Sequence, residues 1–229
     1  MMLASVATAM AKKDKKVEVV TATPEPPTME QNIAYALGSN FGSSIVTLHK
    51  NYGFDLDTNY LIRGVLDAYG ERLKMSQEEI RDIFSELDKM VKERELAKVE
   101  VTKQAGEMFL KMNRGAAGIQ ETASGLQYKV VKEGTGAKPT ATSKVKVHYH
   151  GTTIDGKVFD SSVQRGEPIS FQLNQVIQGW QEGLQLMTVG SKYIFYIPAK
   201  LAYGDRGAGD VIPGGSALIF EIELLEIEK

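Results

Sequence analysis

The spacing of hydrophobic residues changes once along the chain, near residue 115, and the change separates two kinds of structure. From Met29 onward, Ile33, Leu37, Phe41, Ile45 and Leu48 recur every three or four residues, the spacing of one helix face. Gly53 can end that helix. Asp57 can cap a second, which carries Leu61, Ile62, Val65, Leu66 and Tyr69 and stops at Gly70. Ser76-Gln77-Glu78-Glu79 then has capping-box spacing, in which the serine and the second glutamate satisfy each other's orphan amides. Apart from a lone Gly106, no strong breaker follows until Gly115. A helix of about 35 residues, about 55 Å long, is predicted. Its first turns have a packing face in Ile80, Phe84, Leu87 and Val91. From Lys92 to Lys103 charge surrounds it, as on a solvent-bridging strut. Two ordinary helices broken near Lys98 to Lys103 are the alternative.

After Gly115-Ala116-Ala117-Gly118 the period becomes two. Leu126, Tyr128 and Val130 alternate, as do Val145, Val147 and Tyr149, then Ile169, Phe171 and Leu173. Ile194, Tyr196 and Pro198 follow, then Leu218, Phe220, Ile222 and Leu224. Such runs predict half-buried antiparallel strands. A single short helix fits from about Gly179 to Met187. The fold class is therefore α+β, with helices over 29–75, a connecting helix over 76–114 and a curved sheet around one helix over 115–229. Phe171, Tyr128 and Phe195 are expected in the core.

The amino-terminal helices are too small to bury a sizeable core by themselves. Gly38 and Gly42, beside Leu37 and Phe41, permit close approach of helix backbones, so a homodimer is expected. Residues 12 to 28 hold lysines, threonines and three prolines and are expected to form a disordered arm.

Composition narrows the function. A net charge of −2 gives no global pull toward nucleic acid or an anionic membrane. The absence of cysteine excludes disulfides and thiolate chemistry. No run approaches the roughly 20 apolar residues that span a bilayer. His148 and His150 are expected on opposite sides of their strand, a poor metal pair, and His49 lies far off, so no metal or cofactor is expected. Gly204-x-x-Gly207-x-Gly209 does not match a dinucleotide fingerprint.

One set of short motifs remains. Val147-His148-Tyr149-His150-Gly151 is followed by Asp155-Gly156-Lys157-Val158-Phe159-Asp160-Ser161-Ser162 and Val176-Ile177-Gln178-Gly179-Trp180. Leu201-Ala202-Tyr203-Gly204 and Phe220-Glu221-Ile222-Glu223-Leu224-Leu225 complete it. In this order, over roughly residues 124–228, the motifs resemble the FKBP-type peptidyl-prolyl cis-trans isomerases, which bind tacrolimus and rapamycin. Ala34-Tyr35-Ala36-Leu37-Gly38 and Gly64-Val65-Leu66-Asp67-Ala68 resemble the dimerisation domain of the bacterial two-domain members, the macrophage infectivity potentiators and periplasmic chaperone-isomerases.

The resemblance implies isomerisation of X-Pro bonds in unfolded or proline-containing polypeptides, without metal or cofactor, and a chaperone activity of the dimer. A holdase or proline-peptide binding module is the alternative. The implied catalytic set is Asp160, Tyr203, Phe159, Trp180 and Phe220, with Trp180 as the pocket floor. Tyr149, Val176, Ile177, Ile212, Arg165 and Ile169 are the implied substrate contacts. Asp160 and the Tyr203 hydroxyl are expected to hold substrate carbonyls, with Arg165 fixing the carboxylate. The chain departs from the single-domain pattern at His150, Ile169, Leu201 and Ala208. Residues 1–11, small and apolar before Lys12-Lys13-Asp14-Lys15-Lys16, fit the tail of an export signal. A periplasmic location is expected, with a cytoplasmic or outer-membrane-associated one as alternative.

Overall fold

The computed structural model describes residues 27–228. The expected export signal and most of the disordered arm lie outside them. The described residues fall into two compact units that divide between Ile62 and Arg63.

In the first unit, helix α1 (Met29–Tyr52) begins at a capping box between Thr28 and Gln31 and ends at Gly53, which is left-handed at φ 69°. Helix α2 (Thr58–Tyr69), within which the division falls, is capped by Asp57, whose carboxylate accepts from the amides of Asn59 and Tyr60 at 2.8 and 3.3 Å. It ends just before Gly70, as expected, but Gly70 is not left-handed. The left-handed residue is Glu71, at φ 53°, with its amide on the Ala68 carbonyl and that of Arg72 on the Asp67 carbonyl. Those two bonds form a Schellman cap that holds a non-glycine residue in this region. Neither helix has a buried residue.

Helix α3 (Gln77–Asn113) runs unbroken for 37 residues from the Ser76–Glu79 capping box. Its end is fastened to the sheet that follows. Gln127, 1% exposed, donates its amide to the Leu110 carbonyl and to Glu121, and accepts from the Asn113 side chain. Arg114 grips Glu121 with two bonds of 2.7 Å.

The sheet comprises β1 (Ile119–Glu121), β2 (Gln127–Lys132), β3 (Lys144–Thr153), β4 (Val158–Ser161), β5 (Ile169–Gln172), β6 (Lys192–Ile197) and β7 (Leu218–Glu228). It is antiparallel in the order β1-β2-β6-β7-β3-β4, with β5 also on β3. Helices α4 (Ser162–Arg165) and α5 (Gln178–Leu184) complete it. Leu126, Val145, Val147, Leu173, Leu184, Met187, Ile197, Leu218, Ile222 and Leu224 are fully buried.

Two strand expectations are corrected. On β6 the inward residues are Tyr193, Phe195 and Ile197, not Ile194, Tyr196 and Pro198. The strand is apolar on both faces because its outer face carries α3: the Phe109 and Tyr196 rings lie 6.0 Å apart. His148 and His150 share one face of β3, as residues two apart in a strand must. They meet the hydroxyls of Ser162 and Ser161 at 3.1 and 3.0 Å.

Candidate active site

The site begins with a break in pairing along β3. Strand β4 pairs with it at His150–Thr152, while β5 pairs only at Lys144–Val147. The Tyr149 amide falls in the gap, and the buried Ser162 hydroxyl accepts its hydrogen bond at 2.8 Å. The chain between β4 and β5 is thereby free to bulge as α4. That bulge brings Arg165 back onto Asp160 and the Tyr149 hydroxyl.

The three side chains form a closed network. The Tyr149 hydroxyl and the Arg165 guanidinium each donate to a different oxygen of Asp160. Arg165 also donates to the Tyr149 hydroxyl at 2.9 Å. Partial burial pushes the Asp160 carboxyl up, but hydrogen bonds from Tyr149 and Arg165 and the guanidinium charge outweigh it, so the carboxyl sits below its ordinary range. Asp160 is therefore an ionised acceptor. It cannot hold a substrate carbonyl, and the expectation that it would is corrected. Burial, followed by the charge of Asp160, pushes the Tyr203 hydroxyl up. Tyr203 stays protonated at neutral pH and can donate. Among the described residues its hydroxyl has no hydrogen-bond partner, so it remains available.

Trp180 comes from α5, and two glycines set its position. A Cβ on Gly179 would lie 2.4 Å from Ile197, and one on Gly183 2.6 Å from Phe195. Only glycine lets the helix sit this close to the sheet. Around the indole stand Tyr149 at 5.2 Å, Phe171 at 5.4 Å and Phe220 at 5.2 Å, each within about 11° of perpendicular. Phe159 meets Phe220 edge-on at 5.3 Å. Gly151 makes room for that pair: a Cβ there would lie 2.7 Å from the Phe159 ring and 2.8 Å from the Phe220 ring.

All the residues expected at the site line one pocket of about 560 Å³: Asp160, Tyr203, Phe159, Trp180 and Phe220, with Tyr149, Val176, Ile177, Ile212, Arg165 and Ile169. Phe171, Gln175, Ala208 and Val211 line it too. Phe171, expected in the core, is half-buried and faces the indole. Strand register carries the signal that finds it. Phe171 pairs with Val145, on the inward face that also holds Tyr149. Ala208 and Val211 sit on the loop after Tyr203, where no periodicity marks them. Among the described residues no three His, Cys, Asp or Glu side chains cluster as metal ligands.

Comparison with known proteins agrees with this geometry. Residues 135–225 match the family described as FKBP-type peptidyl-prolyl cis-trans isomerase. Residues 30–130 match the domain amino terminal to FKBP-type peptidyl-prolyl isomerase. The chain is 46% identical to the FKBP-type peptidyl-prolyl cis-trans isomerase FkpA of Aeromonas hydrophila, over 99% of this chain and 86% of that one. It is 40% identical to the outer membrane protein MIP of Legionella longbeachae, over 88% and 87%. The crystal structure of FkpA from Escherichia coli superposes with a TM-score of 0.70 at 37% identity, over 88% of this chain and 97% of that one. With its aromatic pocket inside the segment that matches the isomerase family, the chain belongs to the FKBP-type peptidyl-prolyl cis-trans isomerases.

Proposed function

We propose that the pocket seats the proline ring of an exposed X-Pro segment against Trp180 and speeds rotation about its amide bond. The barrier, about 18–20 kcal/mol, comes from partial double-bond character in the C–N bond. A planar amide carries negative charge on oxygen, which water stabilises. The twisted transition state has lost it. A dry aromatic lining, with the fixed anion of Asp160 at the rim, penalises the planar form more than the twisted one, and that difference lowers the barrier. The Tyr203 hydroxyl donates to a substrate carbonyl and holds the segment in register. Arg165 and Tyr149 hold Asp160. Val176, Ile177, Ile212 and Ile169 shape the walls, with Phe159 and Phe220 closing the side beside Gly151.

The observation that carries this reading is the indole among three near-perpendicular rings, with one available hydroxyl donor on the same pocket. The test is proline isomerisation of a tetrapeptide. Tyr203→Phe should lower kcat/KM about tenfold, the worth of a hydrogen bond of about 1–1.5 kcal/mol. Asp160→Ala should lower it as well, with both variants folded. Wild-type turnover in both would remove the site assignment. Tacrolimus and rapamycin should each inhibit competitively; inhibition that ignores substrate concentration would place them elsewhere.

The same chain is proposed to work as a homodimer through α1 and α2, with chaperone action on unfolded polypeptides. Leu37 is 69% exposed and Phe41 48%. A Cβ added at Gly38 or Gly42 would meet nothing within 4 Å, so packing within one chain does not explain these glycines. Light scattering should give twice 25.1 kDa; a single-chain mass would overturn the dimer. Suppression of aggregation of an unfolded client should fall when the dimer is broken. The location supported by residues 1–11 is the periplasm. Fractionation should find the protein there, and recovery with outer-membrane vesicles would favour the station that the name of the Legionella relative suggests.

A further inference from the structure

The loop that covers the pocket is built on the connecting helix. Residues 204–215 leave the sheet domain after Tyr203 and return to β7. They are closed at the base by the Gly215 amide on the Gly204 carbonyl at 2.9 Å, and further out by reciprocal bonds between Ala208 and Ile212. Ala208, Val211 and Ile212 from this loop, and Tyr203 at its root, line the pocket. The return arm lies on α3 with almost no side chain between them. A Cβ on Gly214 would be 2.9 Å from the Val99 side chain. One on Gly215 would be 2.6 Å from the Val99 carbonyl and 3.1 Å from the Lys103 amide. Two residues on, the fit reverses: a Cβ on Gly106 of the helix would lie 3.0 Å from that of Ala217, which is buried.

Val99, Lys103 and Gly106 are four and three residues apart, so they form one stripe on α3. A seam made of two glycines, the Val99 and Lys103 backbone and the short Val99 and Ala217 side chains leaves little slack to absorb a displacement, and close-packed contacts transmit strain. We propose that this stripe positions the loop. Val99, Lys103 and Gly106 then act on the isomerase as positioning residues through Gly214, Gly215 and Ala217, by fixing where Tyr203 and Ile212 meet the substrate. The carboxy-terminal turns of the connecting helix thus belong to the enzyme. The proposal rests on the aromatic pocket being the isomerase site.

The test uses the full chain with a tetrapeptide substrate and site-resolved amide exchange. Gly106→Val should wedge helix and loop apart. It should lower kcat/KM about tenfold, inside the hundredfold that a displacement of about 1 Å can cost. Exchange should quicken at the amides of Ala208, Ile212 and Gly215 while β3 and β7 stay protected. Adding Ala217→Gly, which removes the opposing Cβ, should restore part of both. Val99→Ala keeps a good helix former, so it is expected to fold even if Gly106→Val does not, and it should show the same pattern at about two- to threefold. Unchanged kcat/KM and loop exchange in Val99→Ala and in a folded Gly106→Val would overturn the brace. So would a loss of activity with exchange quickened uniformly across the domain, since that is a merely structural effect. Tyr203→Phe in parallel separates the two ideas. If it is impaired while the seam variants are not, the pocket stands and the brace falls.

Discussion

The amino-terminal helices and the carboxy-terminal sheet domain reach order by opposite means. Helices α1 and α2 have well-made ends, a capping box, an aspartate cap and two left-handed stops, yet neither buries a residue. In the sheet domain a contiguous core from Leu126 to Leu224 is closed to solvent, while strands β4 and β5 are only four residues long. Local signals are sufficient to place an element. Packing decides whether it stays folded as a single chain. The contrast predicts where each region finds its missing stability: the helices from a second copy, the domain from itself.

The largest effect should come from equal truncations in the two regions. Phe195→Ala empties a fully packed site and should cost about 3–5 kcal/mol, independent of protein concentration. Phe41→Ala removes the same ring from an exposed position. If α1 is a dimer face, its cost should appear as a melting midpoint that moves with concentration. Concentration-independent melting of both variants, followed by circular dichroism, would break the comparison.

A smaller effect is expected at Gly151→Ala. The added carbon would press on Phe159 and Phe220, and overpacking of this kind costs about 1–3 kcal/mol. Turnover should fall more than stability does, because both displaced rings line the pocket. A variant with normal turnover and lowered stability would move Gly151 from the site to the core.

The pH dependence should be smaller still. The Asp160 carboxyl sits below its ordinary range in the folded chain. The stability it contributes is therefore present above the unfolded value of about 3.9 and lost only as pH falls through the lower folded value. The Tyr149 and Tyr203 hydroxyls are pushed up, Tyr149 by burial and then by its bond to Asp160. Nothing in this set titrates between about pH 5 and 8, so kcat/KM should be flat there. The pair is half exposed, which keeps its share of stability small. A bell-shaped profile centred near neutrality would require a proton-transfer step that the proposed mechanism lacks.

Much of this was written in the chain. The starts of α2 and α3 were legible because caps are local: Asp57 and Ser76 act within three residues of themselves, whereas Thr28, read as part of the arm, caps α1. The residues that line the pocket were named through the resemblance of their motifs to a known family; alternation alone places only Tyr149 and Phe220 on inward strand faces. The failures share a cause in tertiary contact. Tyr193-Ile194-Phe195-Tyr196 is apolar throughout, so alternation cannot tell which face meets the core until Phe109 of α3 is known to cover the other. Phe171 needed strand register, and Glu71 needed the two carbonyls that cap it. The seam at Gly214 and Gly215 could not be read at all, since glycine leaves no pattern for the helix it touches.

That seam also fixes where the connecting helix can be cut without touching catalysis. A proline at Lys98 would disturb the turn that carries Val99 and so would confound helix breakage with displacement of the loop. Lys92 lies about two turns earlier and is exposed. Lys92→Pro removes one backbone bond and clashes with the carbonyl of Asp88, at a cost of about 3 kcal/mol or more in a helix interior. The stripe from Val99 to Gly106 and the fastenings at Leu110 and Asn113 are all carboxy-terminal to the break, so tetrapeptide turnover should be unchanged. Suppression of aggregation of a large unfolded client should weaken, if the dimer holds clients through a continuous helix. Loss of peptide turnover in Lys92→Pro would mean that the isomerase depends on the helix well beyond its seam. Intact suppression despite helix loss by circular dichroism would assign client holding to the sheet domain alone, and the two regions would then divide structure but not function.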